Sequence, residues 1–325
     1  MKHKASVHEV LRVGVGLVTL VGCLWILYIT LDGNWAQAWQ ALTPVVGGVS
    51  LVSISLHAWA NAMLAAQWGR MLDALGSHLP RATVAWLWTR AQLTRFAIGS
   101  AGLVSRPLLA RSQGVPLDIG TSTTVLESVW LMAMLGMGLP FAATLLPAVS
   151  IWVWVAGAGC ALLVIGLTVM PSRVLRPLQW VRPTLVTTGL EGHGWRITRG
   201  YISQIVLRAA VFVLLAIAIN PSSATNWMLV VGAFVLSYLV GWLFIFSPGG
   251  LGPREAVAGL VLSQAGLESG QVIALVALAR VVEVLGELLY VSKVQRPEPT
   301  EDAAAQDKSE HLEKGAHKTL HADDG

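Results

Sequence analysis

Long runs of apolar residues alternate with short polar segments along most of the chain. The first run, residues 11–31, has 21 residues. A helix needs about 20 apolar residues to cross a hydrocarbon core about 30 Å thick, so this run predicts a membrane-spanning helix. A secretory signal peptide is the alternative, because Ala36-Gln37-Ala38 resembles a cleavage site. The apolar part of a signal peptide is only about 7–15 residues long, which favours an uncleaved helix.

Similar apolar runs continue through the rest of the chain, at about 44–66, 118–139, 150–170, 201–219, 227–246 and 271–291. Composition agrees with this pattern, since 54% of the residues are hydrophobic and only 12% are charged. Soluble domains carry about 25% charged residues, so a disordered chain, a disulfide scaffold and an ordinary cytosolic enzyme are excluded. The pattern predicts a polytopic membrane protein.

Basic residues are confined to alternate connections between the runs. Residues 67–117 contain six arginines and residues 171–200 contain five, whereas 32–43, 140–150, 220–226 and 265–270 contain no Lys or Arg. Cytoplasmic loops of membrane proteins are enriched in Lys and Arg, so both arginine-rich connections are predicted to face the cytoplasm. The N-terminal residues 1–10 and the tail 293–325 are predicted to lie on the same side, and the polar tail to be disordered.

This placement of both termini requires an even number of crossings, whereas the runs supply seven. We predict that the missing crossing is Pro253–Ala265, a short or broken helix of about 20 Å that follows the turn at residues 247–252. Irregular backbone at membrane depth must be surrounded by protein or line a wet cavity, which places this segment inside the protein. The expected fold is therefore an all-α polytopic integral membrane protein, with about eight transmembrane helices within residues 11–292.

A second irregular stretch lies at residues 81–112, where the apolar run 82–89 is too short to span a membrane. Two interpretations remain open. The stretch is either a re-entrant segment on the cytoplasmic side, or an amphipathic helix that lies flat on the membrane with Trp86 and Trp88 as anchors.

Charged residues within the predicted spans are costly in lipid and often functional. They are Glu127, Arg208, Arg280, Glu283 and Glu287. Interhelical ion pairs that only fix packing are the alternative. Arg208 is only the eighth residue of its predicted span, 201–219, so we expect its side chain to reach the cytoplasmic surface. A polar stripe, Ser53, His57 and Asn61, is expected to hydrogen-bond neighbouring helices rather than to relay protons.

Two turns share the pattern G-L-x-x-R, at residues 102–106 and 250–254. They could form a degenerate internal repeat, as in transporters that bind substrate where two broken helices meet. A helix that begins at Pro253 would direct its N-terminus at an anion, and Arg106 and Arg254 could hold a phosphate. The alternative is that the glycines only make tight turns and the arginines mark the cytoplasmic side.

Cys23 and Cys160 lie in apolar runs, and the sequence shows neither a metal-binding spacing nor a phosphate-binding loop, so no metal or cofactor is expected.

These motifs resemble those of the lysylphosphatidylglycerol synthase transmembrane-region family, also called flippase-like. Residues 246–255, FSPGGLGPRE, are similar to its S-P-G-G-L-G-x-R-E signature, and residues 67–76 to its R-W-x-x-L-L-x-x-L-G stretch. The resemblance covers about residues 11–292 and includes Gly114-Val115 with Glu127, and Gly266-Leu267 with Arg280. Two positions depart from the family pattern: Ala97-Ile98 replaces a proline, and Ser128 replaces an arginine.

The resemblance implies an integral membrane protein, of the bacterial inner membrane, that moves or handles lipids. Some relatives join this domain to an aminoacyl-transferase domain, and others act beside glycosyltransferases that use polyprenyl-phosphate carriers. The chain after residue 296 is too short for such a domain, so we expect a stand-alone member that does not make the modified lipid.

The leading prediction is a translocase for an anionic phospholipid or a polyprenyl-phosphate glycolipid, with no nucleic-acid partner. The residues predicted to bind the phosphate or head group are Arg254, Arg106, Gly249, Gly250, Gly252 and Glu255. The residues predicted to line or gate the path are Glu127, Arg280 and Glu283. Two alternatives stay open, namely a non-catalytic partner of a separate synthase or glycosyltransferase, and a membrane transferase that acts on a lipid carrier.

Overall fold

A computed structural model describes residues 35–97, 101–141, 150–181, 187, 189–243 and 252–297. These residues form eleven α-helices, two short 3₁₀ segments at 139–141 and Pro221–Ala224, and no β-strand. In chain order, the helices are α1 Trp35–Gln40, α2 Pro44–Ala74, α3 Arg81–Ala97, α4 Ala101–Arg111, α5 Leu117–Met137, α6 Ser150–Val169, α7 Pro171–Val181, α8 Gly194–Ile219, α9 Trp227–Leu243, α10 Pro253–Gln264 and α11 Ser269–Lys293. The protein is an all-α polytopic integral membrane protein.

Helices that are long and apolar enough to cross a membrane occur where the hydropathy pattern predicts them. Four meet both criteria among the described residues: α2, α5 together with the 3₁₀ segment that extends it to Phe141, α6 from Ile151 onward, and α8. Helix α9 is shorter, with 17 residues, and α11 has 25 residues but carries three charges near its middle. The predicted first span, 11–31, and most of the tail lie outside the described residues.

The outer surface of the long helices is strongly apolar. Helix α6 exposes 65% of Ile151, 71% of Trp152 and 69% of Leu162. Soluble monomers rarely expose contiguous apolar patches of this kind. These side chains therefore face lipid, while the polar groups described below lie inside the protein.

Helix α2 shows how local sequence determines the length of a span. It begins at Pro44, where the Thr43 side chain accepts a hydrogen bond from the Val46 amide at 3.4 Å, and it ends before Gly76, whose φ is +85°. Proline suits the first turn of a helix and a positive φ favours glycine, so both ends are specified. The 31 residues between them reach about 46 Å, which extends the helix beyond a hydrocarbon core.

The short helix predicted after the glycine-rich turn is present as α10. It has 12 residues and begins at Pro253, directly after Gly252 with a φ of +88°. Its length of about 18 Å is too short to cross a membrane alone. It packs between α9 and α11, and its buried face includes Glu255, Ala258 and Leu262. The prediction of a short helix after the turn is confirmed, and its placement inside the protein holds for one face only, because Leu260 on the other face is 67% exposed.

The stretch 81–112 forms two helices, α3 and α4, that pack against each other. Leu87 and Trp88 are fully buried, and the Trp88 ring centroid lies 6.4 Å from that of Trp68 in α2. A side chain in this position cannot anchor a helix lying flat on the membrane, so the interpretation in which Trp88 is a membrane anchor does not hold. The burial favours the re-entrant interpretation.

Two hydrophobic cores organise the described helices, which belong to one compact unit ending at Val294. The first core contains side chains from α1, α9, α10 and α11, and the second contains side chains from α3 to α7. Helices α2 and α8 pack along each other and contribute to both cores. Each core adjoins one of the two arginines that the sequence selects: Arg254 contacts Tyr238 beside the first core, and Arg106 contacts Trp88 of the second.

Candidate functional site

Arg254, near the start of α10, lies in the first core in contact with an acid and an aromatic ring. One of its guanidinium nitrogens is 2.7 Å from Glu283 Oε2 in α11. The guanidinium carbon is 3.5 Å from the centroid of the Tyr238 ring in α9, which is a cation–π contact. The Arg254 side chain retains 15% exposure, against 4% for Glu283. Arg254 is therefore the more accessible member of a largely buried ion pair.

A second arginine shares the same glutamate. Arg280 Nη1 donates to Glu283 Oε2 at 3.0 Å, and Arg280 Nε lies 3.6 Å from Glu255 Oε1. Glu255 also accepts a hydrogen bond from the Gly252 amide at 2.8 Å, so its carboxylate caps the N-terminus of α10. Any anion that approaches this helix end meets Glu255 as well as Arg254.

Arg106, in α4, belongs to a separate group in the second core. Its guanidinium forms a buried ion pair with Glu127 of α5, and both side chains are 5% exposed. The guanidinium carbon lies 4.0 Å from the Trp88 ring centroid and 5.8 Å from that of Trp68. The Trp68 indole N–H donates to Thr123 Oγ1 at 3.1 Å, which fixes that ring. The charge of Arg106 is thus enclosed by one carboxylate and two indoles.

The two groups repeat the same parts in the same chain order. In each, an aromatic ring from one helix covers an arginine on the following short helix, and that arginine pairs with a glutamate on the next long helix. The sets are Trp88, Arg106 and Glu127, and Tyr238, Arg254 and Glu283. This correspondence supports the internal repeat suggested by the shared G-L-x-x-R pattern. It also places each arginine with its own glutamate, in its own core.

A third polar group joins α2 to α8. Arg208 donates to His57 Nε2 at 3.1 Å and to Asn61 Oδ1 at 2.8 Å, and the three residues are 8% exposed or less. The prediction that the α2 polar stripe hydrogen-bonds a neighbouring helix is confirmed for His57 and Asn61, whereas the buried Ser53 Oγ makes no hydrogen bond to the described residues. The prediction that Arg208 reaches the surface is wrong, because α8 begins at Gly194 and Arg208 lies 14 residues further on (208 − 194), about 21 Å along the helix.

This third group adjoins the Arg254 group. Potential ligand or proton-binding atoms of His57, Glu283 and Glu287 all lie within 4.8 Å of one another. All three residues are buried, at 3–4% exposure. A continuous set of charged and polar side chains therefore runs from Arg208, through His57 and Glu283, to Arg254 at the start of α10.

Comparison with known protein families gives a match over most of the chain. The sequence profile of the family described as lysylphosphatidylglycerol synthase TM region matches residues 11–289. The chain belongs to this family. It is therefore a membrane domain of the flippase-like type. No curated protein and no solved structure matches the chain at a significant level.

Several of the family-motif residues can be located in the structure. Arg254, Glu255 and Gly252 lie together at the start of α10, whereas Gly249 and Gly250 fall outside the described residues. Ser128, where the family pattern has an arginine, donates to the Thr124 carbonyl of its own helix at 2.9 Å. The preceding motif residue, Glu127, forms its ion pair with Arg106 of α4. The other departure, Ala97-Ile98, lies where side chains are not described.

The sequence did not identify the aromatic partners of the arginines in this family member. Tyr238 lies in a mostly apolar helix, where a tyrosine is typical of a core. Gly241, one turn later, leaves room for the Arg254 side chain, because a β-carbon there would lie 3.3 Å from Arg254 Cβ. The signal would have been an arginine on a short helix that follows a helix with an aromatic residue. To recognise it, one must know that the two helices are neighbours in space.

Replacing Arg208 by alanine is expected to lower the free energy of unfolding by about 2 kcal/mol, because His57 Nε2 and Asn61 Oδ1 would lose their buried donor. The measurement is the unfolding midpoint of the purified protein in detergent, with Arg199→Ala, an exposed arginine of the same helix, as the control. Equal midpoints for the two variants would contradict a buried, bonded Arg208.

Proposed function

We propose that the protein is a lipid translocase that binds the phosphate of an anionic lipid at Arg254 and moves it between the leaflets of a bacterial plasma membrane. The observation that carries this proposal is the sharing of Glu283 by two arginines, Arg254 at 2.7 Å and Arg280 at 3.0 Å. A phosphate can replace Glu283 on Arg254 while Arg280 still compensates the glutamate. Arginine suits this role because its planar fork binds phosphate bidentately.

The accessibility of the groups supports Arg254 as the primary contact. Its side chain is 15% exposed and it borders the glycine-rich turn, whereas Arg106 is 5% exposed and enclosed by indoles. Arg280 and Glu283 would then gate the site, with Glu255 orienting the start of α10. Arg106 and Glu127 would form the corresponding gate in the other half of the repeat. The arginine-rich connections would face the cytoplasm.

The substrate class follows from the same chemistry. An arginine held against an aromatic ring within an apolar membrane domain suits a phosphate on a lipid, which an anionic phospholipid and a polyprenyl-phosphate glycolipid share. The family supports a transport role over synthesis, since it is of the flippase-like type.

The test is lipid movement in proteoliposomes that contain fluorescent phosphatidylglycerol, phosphatidylcholine or a polyprenyl-phosphate sugar. Arg254→Ala is expected to slow protein-dependent movement at least about tenfold, the rate equivalent of losing one charge-assisted contact of about 1.4 kcal/mol. Arg254→Lys should retain part of the activity, because the charge remains without the fork. Arg199→Ala, an exposed arginine on α8, is the matched control and should behave as wild type.

Two results would overturn the proposal. Movement by the Arg254→Ala variant at the wild-type rate would remove Arg254 from the site. No movement of any of these lipids by folded wild-type protein would argue against a translocase and favour a non-catalytic membrane partner.

A further inference from the structure

The buried charges around Glu283 balance one another. Three guanidinium groups and three carboxylates belong to the set, with exposures of 8% or less apart from Arg254. They are Arg208, Arg254 and Arg280, and Glu255, Glu283 and Glu287. With ordinary ionisation and a neutral histidine, the formal charges sum to zero. A net charge in a low-dielectric interior is costly, so this balance constrains what can bind.

The hydrogen bond between Arg208 and His57 makes the histidine neutral in this state. A guanidinium can only donate, so the His57 Nε2 atom that lies 3.1 Å from Arg208 is the acceptor. The ring proton is then on Nδ1, and protonating Nε2 would break the bond to Arg208. The polar stripe in the sequence gave no reason to expect proton chemistry at His57. Its proximity to Glu283 and Glu287 does.

Binding of an anion at Arg254 disturbs this balance. A lipid phosphodiester brings one negative charge, and it takes from Glu283 one of the two guanidinium groups that now compensate that carboxylate. We propose that phosphodiester binding at Arg254 is accompanied by the uptake of one proton by the group formed by His57, Glu283 and Glu287. This inference rests on the proposed function and adds to it a proton site that makes lipid binding depend on pH.

A proton fits this group better than a metal ion does. Arg254 and Arg280 already bond Glu283, and Arg208 already bonds His57. A divalent cation at the same atoms would face these three guanidinium groups at short range, whereas one proton neutralises one carboxylate without adding a second charge. The interacting groups titrate together, so the proton belongs to the group rather than to one residue.

The surroundings of Glu283 define the other ionisable groups that influence this proton. Helix α11 packs against α1, α2, α8 and α10. Helix α1, residues 35–40, has no ionisable side chain, and each of the other three contributes at least one. The tyrosine that contacts Arg254 is added to these groups. The groups are His57 from α2, Arg208 from α8, Tyr238 from α9, Arg254 and Glu255 from α10, and Arg280 and Glu287 from α11 itself.

Isothermal titration calorimetry of the full chain in detergent tests this proposal directly. The probe is dihexanoyl phosphatidylglycerol, whose phosphodiester does not titrate near neutral pH. Titrations in Pipes, Hepes and Tris give the number of protons taken up, because each buffer contributes its own ionisation enthalpy. We expect about one proton per bound lipid, and an apparent Kd that rises about tenfold per pH unit while the free group remains unprotonated.

Glu283→Gln provides the matched variant, since glutamine resembles a permanently protonated glutamate in size. It is expected to bind the same lipid without proton uptake and with an affinity that no longer falls as pH rises. Arg254→Ala supplies the heat of mixing with detergent in the absence of binding. The wild-type proton count stands by itself if Glu283→Gln does not fold.

The outcomes separate this inference from the proposed function. Binding of the lipid without proton uptake would overturn the inference and leave the translocase proposal in place. Absence of binding by folded wild type would overturn both. Glycerophosphoglycerol, the same diester without acyl chains, distinguishes the ligand source: uptake with it assigns the site to the phosphodiester itself, and uptake only with the lipid assigns it to the intact lipid.

Discussion

Replacing Glu127 by glutamine is expected to lower the free energy of unfolding by about 3–5 kcal/mol, as is typical when one partner of a buried ion pair is removed. Glutamine has nearly the same size, so packing is preserved and only the charge is lost. Arg106 would then remain buried between Trp88 and Trp68 without its carboxylate. The measurement is the unfolding midpoint and free energy in detergent, followed by intrinsic tryptophan fluorescence.

A double substitution shows whether the loss of stability comes from leaving Arg106 buried and unpaired or from losing the contact between the two side chains. Arg106→Met combined with Glu127→Leu removes both charges and is expected to be at least about 2 kcal/mol more stable than Glu127→Gln, because a buried pair can be replaced by apolar residues at little cost. Asp118→Asn, an exposed acid in the first turn of the same helix, is the matched control. A Glu127→Gln variant as stable as this control would contradict the enclosed ion pair.

The sequence predicted the positions of the spans more accurately than their lengths. Helices α2 and α8 each continue beyond the apolar run at one end, to Ala74 and back to Gly194. Those extensions carry Arg70, Arg196 and Arg199, so hydropathy falls there although the backbone hydrogen bonds continue. An apolar run measures the hydrocarbon thickness, whereas the end of a helix depends on its caps and breakers. The wrong prediction for Arg208 has this cause.

The candidate site could be predicted as a set of residues but not as a set of pairs. Arg280 and Glu283 are three positions apart on one helix, and their contact at 3.0 Å follows from helical periodicity. Arg254 pairs with Glu283 on another helix, and Arg208 meets His57 at a separation of 151 residues. Such contacts depend on which helices are neighbours, and apolar periodicity does not specify this for helices surrounded by lipid and protein.

The two groups of ring, arginine and glutamate both place charges in the interior of the protein, where they are costly. A single ion pair could be replaced by apolar residues at little cost in stability, so stability alone gives no reason to keep two. The two groups differ in accessibility, since the Arg254 side chain is 15% exposed and that of Arg106 is 5% exposed. In the proposed mechanism, the structure corresponds to a state in which one half can receive an anion and the other is closed.

Helix α11 packs closely against α2 at Gly286. Gly286→Val is therefore expected to destabilise the protein by about 3 kcal/mol, at the upper end of the cost of overpacking. A β-carbon at this position would lie 2.7 Å from His57 Cβ, 2.9 Å from the Ile54 carbonyl oxygen and 3.2 Å from the Ala58 amide. Two of these atoms are backbone, so no rotamer change relieves the overlap. The helices must separate, and His57 must move relative to Glu283 and Glu287.

Gly48→Val is the matched control for this substitution. Gly48 also lies within a helix, α2, but no atom is within 4 Å of the β-carbon that it would gain, so its unfolding free energy should change by less than about 0.5 kcal/mol. Both variants are compared by unfolding midpoint in detergent and by lipid movement in proteoliposomes. Gly286→Val should lose movement even at temperatures where it remains folded, because His57 and Glu283 are displaced. Wild-type stability in that variant would show that α2 and α11 do not pack through Gly286.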